Sequence, residues 1–168
     1  MDFLDLAKDR YSVTQYSARR IEPAVLDKVL EAGMLAPTAC NFQPQRILVI
    51  RTMDRKQKLQ TLAKPDMYFD TALLVCWDEN ACWHRPVDGQ SSGEIDASIV
   101  TTHMMLAAAD QGLGSIWVMN WDPAAMCKTF ELPENIRPAA LLYLGYPAEN
   151  STPRAGHSAT KSVTEILL

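Results

Sequence analysis

Apolar positions recur with two different periods along this chain, and the switches between them lay out its elements. At Phe3, Leu4, Leu6 and Ala7 they fit a short amphipathic helix that ends near Asp9. Glu22-Pro23 opens a second helix, with proline in the first turn where its missing N–H leaves no bond unmade. Val25, Leu26, Val29, Leu30 and Met34 form its apolar face, which stops before Pro37. Residues 46–51 read as a strand, Asp54 to Ala63 as a short polar helix with Leu59 and Leu62 inward, and Lys64-Pro65-Asp66 as its end. Thr71 to Trp77 is a continuous apolar run of strand length, the pattern of a strand covered on both faces. Residues 78–93 have no period, and a connection that long reads as a lid or binding loop.

Glu94 to Gln111 carries the strongest helical pattern, apolar over much of its circumference, which predicts a central or interfacial helix. Gly112 closes it, and Gly114 permits close backbone approach. Ser115 to Trp121 reads as a strand running into a loop, Pro123 to Phe130 as a short helix, and Arg137 to Tyr146 as the last strand. Val163 to Leu168 is an apolar tail that needs cover. The order of elements predicts an α+β, three-layer fold around a sheet of about four strands.

Composition narrows the function classes. The 168 residues predict one domain spanning 1–168, and a net charge of -4 argues against nucleic acid or an anionic membrane as the main partner. No apolar run has the length of a membrane span, and the N-terminus lacks the basic start of a signal peptide, so a cytoplasmic location is expected. Cys40, Cys76, Cys82 and Cys127 show no C-x-x-C spacing; with His84 they make no four-ligand set, and no metal site is expected. His103 reads as a hydrogen-bonded core or interface histidine, and Asp96 as a complement to the helix dipole.

Two polar stretches offer binding chemistry. In the loop 36–44, Pro37 and Pro44 fix the backbone while Thr38, Asn41 and Gln43 supply a hydroxyl and two amides. Taken alone, that loop fits a turn with capping chemistry as well as a binding wall. Arg10 with Ser12 makes an oxyanion clamp of a guanidinium and a hydroxyl donor. The plainer reading is a solvated loop in which Ser12 or Thr14 acts as a cap.

Arg10-Tyr11-Ser12-Val13, the loop from Ala36 to Pro44, Gly112-Leu113-Gly114-Ser115-Ile116-Trp117 and Leu144-Gly145-Tyr146-Pro147 resemble, in that order, the nitroreductase family of FMN-dependent oxidoreductases, in its compact branch. The resemblance implies a central, mostly antiparallel sheet wrapped by helices and a homodimer with FMN at its interface. It implies that Arg10 and Ser12, in a segment shared with Tyr11 and Thr14, hold the phosphate. Thr14 stands where a second base is common. Pro37, Thr38, Ala39, Asn41 and Gln43, from the opposite subunit, would line the isoalloxazine and ribityl region. Backbone N–H groups near Met119 and Asn120 would face flavin N5 and O4, and Lys161 would lie close to the phosphate. The implied activity is NAD(P)H oxidation, with hydride passing through flavin N5 to a small acceptor such as a nitroaromatic or quinone. No side-chain acid or base is expected to be catalytic. The alternative is an FMN-binding carrier or sensor with little turnover.

Overall fold

The computed structural model describes residues 2–168. In chain order the elements are α1 (Phe3–Asp9), α2 (Pro23–Met34), a 3-10 turn (Ala39–Asn41), β1 (Gln45–Ile50), α3 (Met53–Leu62), β2 (Ala63–Lys64), β3 (Thr71–Asp78), α4 (Gly93–Asp110), β4 (Gly114–Val118), β5 (Asn120–Trp121), α5 (Pro123–Thr129), β6 (Ile136–Gly145) and α6 (Val163–Ile166).

The apolar run at 71–77 becomes β3, an interior strand of a four-stranded sheet ordered β1-β3-β6-β4. Each neighbouring pair is antiparallel. Because side chains alternate across a strand, β3 and β6 each feed two cores. Leu73, Val75, Ala140, Leu142 and Leu144 pack against Leu26 and Val29 of α2 and Ala97, Val100 and Met104 of α4. Ala72, Leu74, Cys76, Leu141 and Tyr143 face the other way, onto Leu59 of α3 and Met126 of α5. The fold is the expected α+β arrangement, with the sheet between two helical layers.

Several expectations are corrected. The stretch Ser115 to Trp121, expected as a strand running into a loop, leaves the main sheet after Val118, the end of β4, but its last two residues form β5 and pair with β2 in a two-residue antiparallel ribbon. Met34 is 69% exposed instead of completing the inner face of α2. Phe3 and Leu4 are exposed, and α1 buries no residue within this chain. Asp70 is fully buried: its carboxylate accepts from Ile21 N–H (3.1 Å) and Thr71 Oγ–H (3.0 Å), and Arg20 Nε lies 2.8 Å away.

The segment after α1 crosses the end of the sheet. Ser12 bridges Ser115 in parallel, and Tyr16 bridges Pro147. Two glycines make room for it. A Cβ on Gly114 would lie 2.6 Å from Val13, and one on Gly145 would lie 2.8 Å from Tyr16. Both contacts are closer than side chains tolerate, so glycine here is a condition of the crossing.

Candidate functional site

Arg10 caps α1, its backbone N–H donating to Leu6 O at 3.0 Å. Three residues on, Val13 N–H donates to Ser115 O at 2.9 Å. Strand-like alternation then turns Val13 into the core and leaves Ser12 exposed. The C-terminal segment folds back over this place. Tyr11 Oη–H reaches Ser151 O and Oγ at 3.2 and 3.1 Å. His157 Nε2–H donates to Lys8 O at 3.0 Å, with its ring edge-on to Tyr11.

These contacts enclose a hollow of about 280 Å³ lined by Arg10, Tyr11, Ser12, Trp117, Arg154 and His157, with Ile116 as its apolar side. Two guanidiniums, an imidazole and a hydroxyl converge on it, and no carboxylate lines it. That donor set fits a phosphate group, since guanidinium–phosphate hydrogen bonds are charge-assisted and often bidentate.

The loop 36–44 is built separately and does not share that hollow. Cys40, Asn41 and Gln43 have φ of 52, 56 and 50°, in the left-handed region that L-residues rarely occupy. Such backbone persists only where neighbours fix it, and it clusters at functional sites. Here Gln43 N–H donates to Thr38 Oγ1 at 3.0 Å and Asn41 N–H to Thr38 O at 3.0 Å. Asp96, 2% exposed at the start of α4, accepts from Ala39 N–H at 2.9 Å and from Ser92 Oγ–H at 2.7 Å. Asn41 and Gln43 are exposed, and their side-chain amides make no hydrogen bond among the described residues. The loop is held rigid from behind and presents free polar groups in front.

Met119 and Asn120 form a third place. Both are exposed at the junction of β4 and β5, where Trp117 Nε1–H points to Met119 Sδ (3.0 Å) and Trp121 Nε1–H donates to Val118 O (2.8 Å). Trp77, Trp121 and Met119 border a hollow of about 300 Å³ beside them.

The structure thus brings Arg10, Tyr11 and Ser12 together, gathers Pro37, Thr38, Ala39, Asn41 and Gln43 in one loop, and sets Met119, followed by Asn120, against Trp117, which lines the Arg10 hollow. Thr14 is half-buried, and Lys161 is exposed and outside the Arg10 hollow. Arg154 and His157 stand in that hollow in addition to the sequence candidates. The only advance signal for them is their charge within a Pro- and Ser-rich stretch. Asp96 stands in the first turn of α4, as expected for a complement to the helix dipole, and also anchors Ala39. His103 Nδ1–H donates to Ile99 O at 3.0 Å, a bond inside its own helix.

Comparison with known proteins agrees with these features. The model of the nitroreductase family matches residues 7–67 and 54–146. The crystal structure of a nitroreductase family protein from Clostridium difficile 630 superposes with a TM-score of 0.92 at 39% identity, over 100% of this chain and 98% of that one. A relative from Archaeoglobus fulgidus with the provisional name NADH dehydrogenase/NAD(P)H nitroreductase is 31% identical over 153 residues, 87% of this chain and 86% of its own length. The FMN reductase (NAD(P)H) of Bacillus subtilis is 28% identical over 161 residues, 85% of this chain and 65% of its own. The chain belongs to the nitroreductase family.

Proposed function

We propose that the protein is an FMN-dependent NAD(P)H oxidoreductase, a single-domain homodimer acting in the cytoplasm. The donor set of the Arg10 hollow is its main support: two guanidiniums and Ser12 suit a phosphate monoester, and no lining carboxylate repels one. The names of the Archaeoglobus and Bacillus relatives share NAD(P)H, and the Bacillus name adds FMN. Bound there, FMN supplies hydride acceptance from NADH or NADPH and electron delivery to a nitroaromatic, a quinone or a similar small acceptor.

The chain's own task is placement. Arg10, Ser12 and Arg154 hold the phosphate, with Tyr11 packing the C-terminal segment over it and Thr14 and Lys161 at its margins. The backbone at Met119 and Asn120 meets the ring. Pro37, Thr38, Ala39, Asn41 and Gln43 of a second copy of the chain close the opposite side, their strained turn keeping the amides fixed. A second copy also covers the apolar groups left exposed along α4 and in the tail, among them Ile95, Ile166 and Leu167.

Anaerobic mixing tests the activity. Purified protein loaded with FMN is expected to bleach with NADH or NADPH and to regain its colour when a quinone or nitroaromatic is added. A flavin-loaded protein inert to both nucleotides would leave only a carrier role.

A further inference from the structure

The hollow of about 300 Å³ beside Met119 has fixed aromatic walls. Trp77, near the end of β3, packs against the first turn of α4 so closely that a Cβ on Gly93 would lie 2.0 Å from its Cε3. No side chain at 93 can share that space, so glycine there seats the indole against the helix. Trp121 is fixed by its own bond, Nε1–H donating to Val118 O at 2.8 Å. Met119, Pro123 and Pro138 extend the apolar lining.

Two charged side chains share this lining, Arg137 and Glu94. The Arg137 guanidinium is engaged by the Glu79 carboxylate and by Glu134 O. Glu94, in the first turn of α4, makes no ion pair among the described residues, and only its backbone oxygen accepts a side-chain hydrogen bond, from Ser98 Oγ–H. With Arg137 and Glu79 cancelling, the hollow keeps one uncompensated negative charge beside two indoles. The helix dipole favours a carboxylate at this position but does not explain why two fixed indoles border it. An aromatic face attracts a cation through its quadrupole, and a neighbouring carboxylate supplies the counter-charge. A ligand carboxylate would meet Glu94 and find no free cation.

We infer that this hollow binds a planar aromatic cation of the N-alkylpyridinium class, with Trp77 and Trp121 as its walls and Glu94 as its counter-charge. The volume suits a single ring with a small substituent. The use of the site rests on the FMN reading: with the flavin ring against the backbone at Met119 and Asn120, the bound cation lies beside it. Glu94 is then a specificity-determining residue, favouring cationic electron acceptors over carboxylate-bearing ones.

The test is an NMR titration of the indole N–H signals with 1-methylnicotinamide, a cation, and with nicotinamide, its uncharged parent, in the wild type and Glu94→Gln. Glu94 is exposed, and circular dichroism confirms that the variant is folded. In the wild type the Trp77 and Trp121 signals should shift saturably with the cation, while Trp83, outside the hollow, should not move. The cation should bind about tenfold more tightly than nicotinamide, and Glu94→Gln should remove that preference while leaving nicotinamide unchanged. Equal affinities in the wild type, or a preference that survives in Glu94→Gln, would overturn the inference. The titration needs no flavin. A protein that takes up no FMN would therefore overturn the acceptor role, while saturable, charge-selective shifts would still establish the cation site.

Discussion

Asp96 Oδ1 accepts the backbone N–H of Ala39 at 2.9 Å, so the first turn of the long helix holds the most strained loop of the molecule. The other carboxylate oxygen takes Ser92 Oγ–H, which leaves neither oxygen unpaired. Asp96→Ala would leave Ala39 N–H without its partner and release the backbone at Cys40, Asn41 and Gln43. Hydrogen bonds to charged groups are worth about 1.5–3 kcal/mol, and a loss in that range is expected in urea unfolding. Asp96→Asn should cost less, because an amide can accept from Ala39 and donate to Ser92. Both variants should also weaken FMN, in the same order.

Arg10 and Arg154 face one hollow, and each is predicted to act through phosphate alone. Arg10→Ala and Arg154→Ala should each weaken FMN by about 1.5–3 kcal/mol, roughly 10- to 150-fold. Riboflavin, which lacks the phosphate, should bind the variants and the wild type equally. Flavin fluorescence titrations with both ligands measure the difference. Equal losses for FMN and riboflavin would place the arginines elsewhere in the site.

The sequence reading reached most of the frame because the frame is written in apolar periodicity. The run at 71–77 has the length and pattern of a strand with both faces covered, and Asn41 and Gln43 stand out because amides between prolines have no core to join. The ribbon β2–β5 was illegible, since two residues carry no period and Lys64-Pro65 reads as a helix end. Arg154 and His157 were equally hidden. Their place depends on Tyr11 holding Ser151 and Lys8 O holding His157, contacts 140 and 149 residues apart in sequence. Met34 satisfies the helical pattern of α2 yet faces outward at its last turn.

Asp70 gives a prediction about stability without function. It is buried while its two arginine partners keep contact with solvent. Removing one partner of a buried pair costs about 3–5 kcal/mol, and the solvent contact of Arg20 points to the lower end. Asp70→Ala should therefore lower the urea midpoint strongly. FMN affinity in the surviving folded fraction should be unchanged, as Asp70 touches none of the proposed flavin contacts.

Glu22 offers a pH signature. The Tyr146 Oη–H bond at 2.6 Å, aided by Arg19, pulls its carboxyl from 4.5 down to about 2. A carboxyl depressed in the folded state stabilises the fold above its unfolded value, and that contribution fades as pH falls through the folded one. The window is therefore roughly pH 4.5 to 2. Carboxyl-carbon NMR should show Glu22 still ionised at pH 3.5, and Tyr146→Phe should raise its titration midpoint.

The central claim is a flavin site that needs two chains. Titrating the folded protein with FMN, with fluorescence quenching read alongside sedimentation, tests it most directly. Saturable uptake of one FMN per chain by a species sedimenting as a dimer is expected. A folded monomer, or a protein that quenches no FMN fluorescence at any concentration tried, would contradict it.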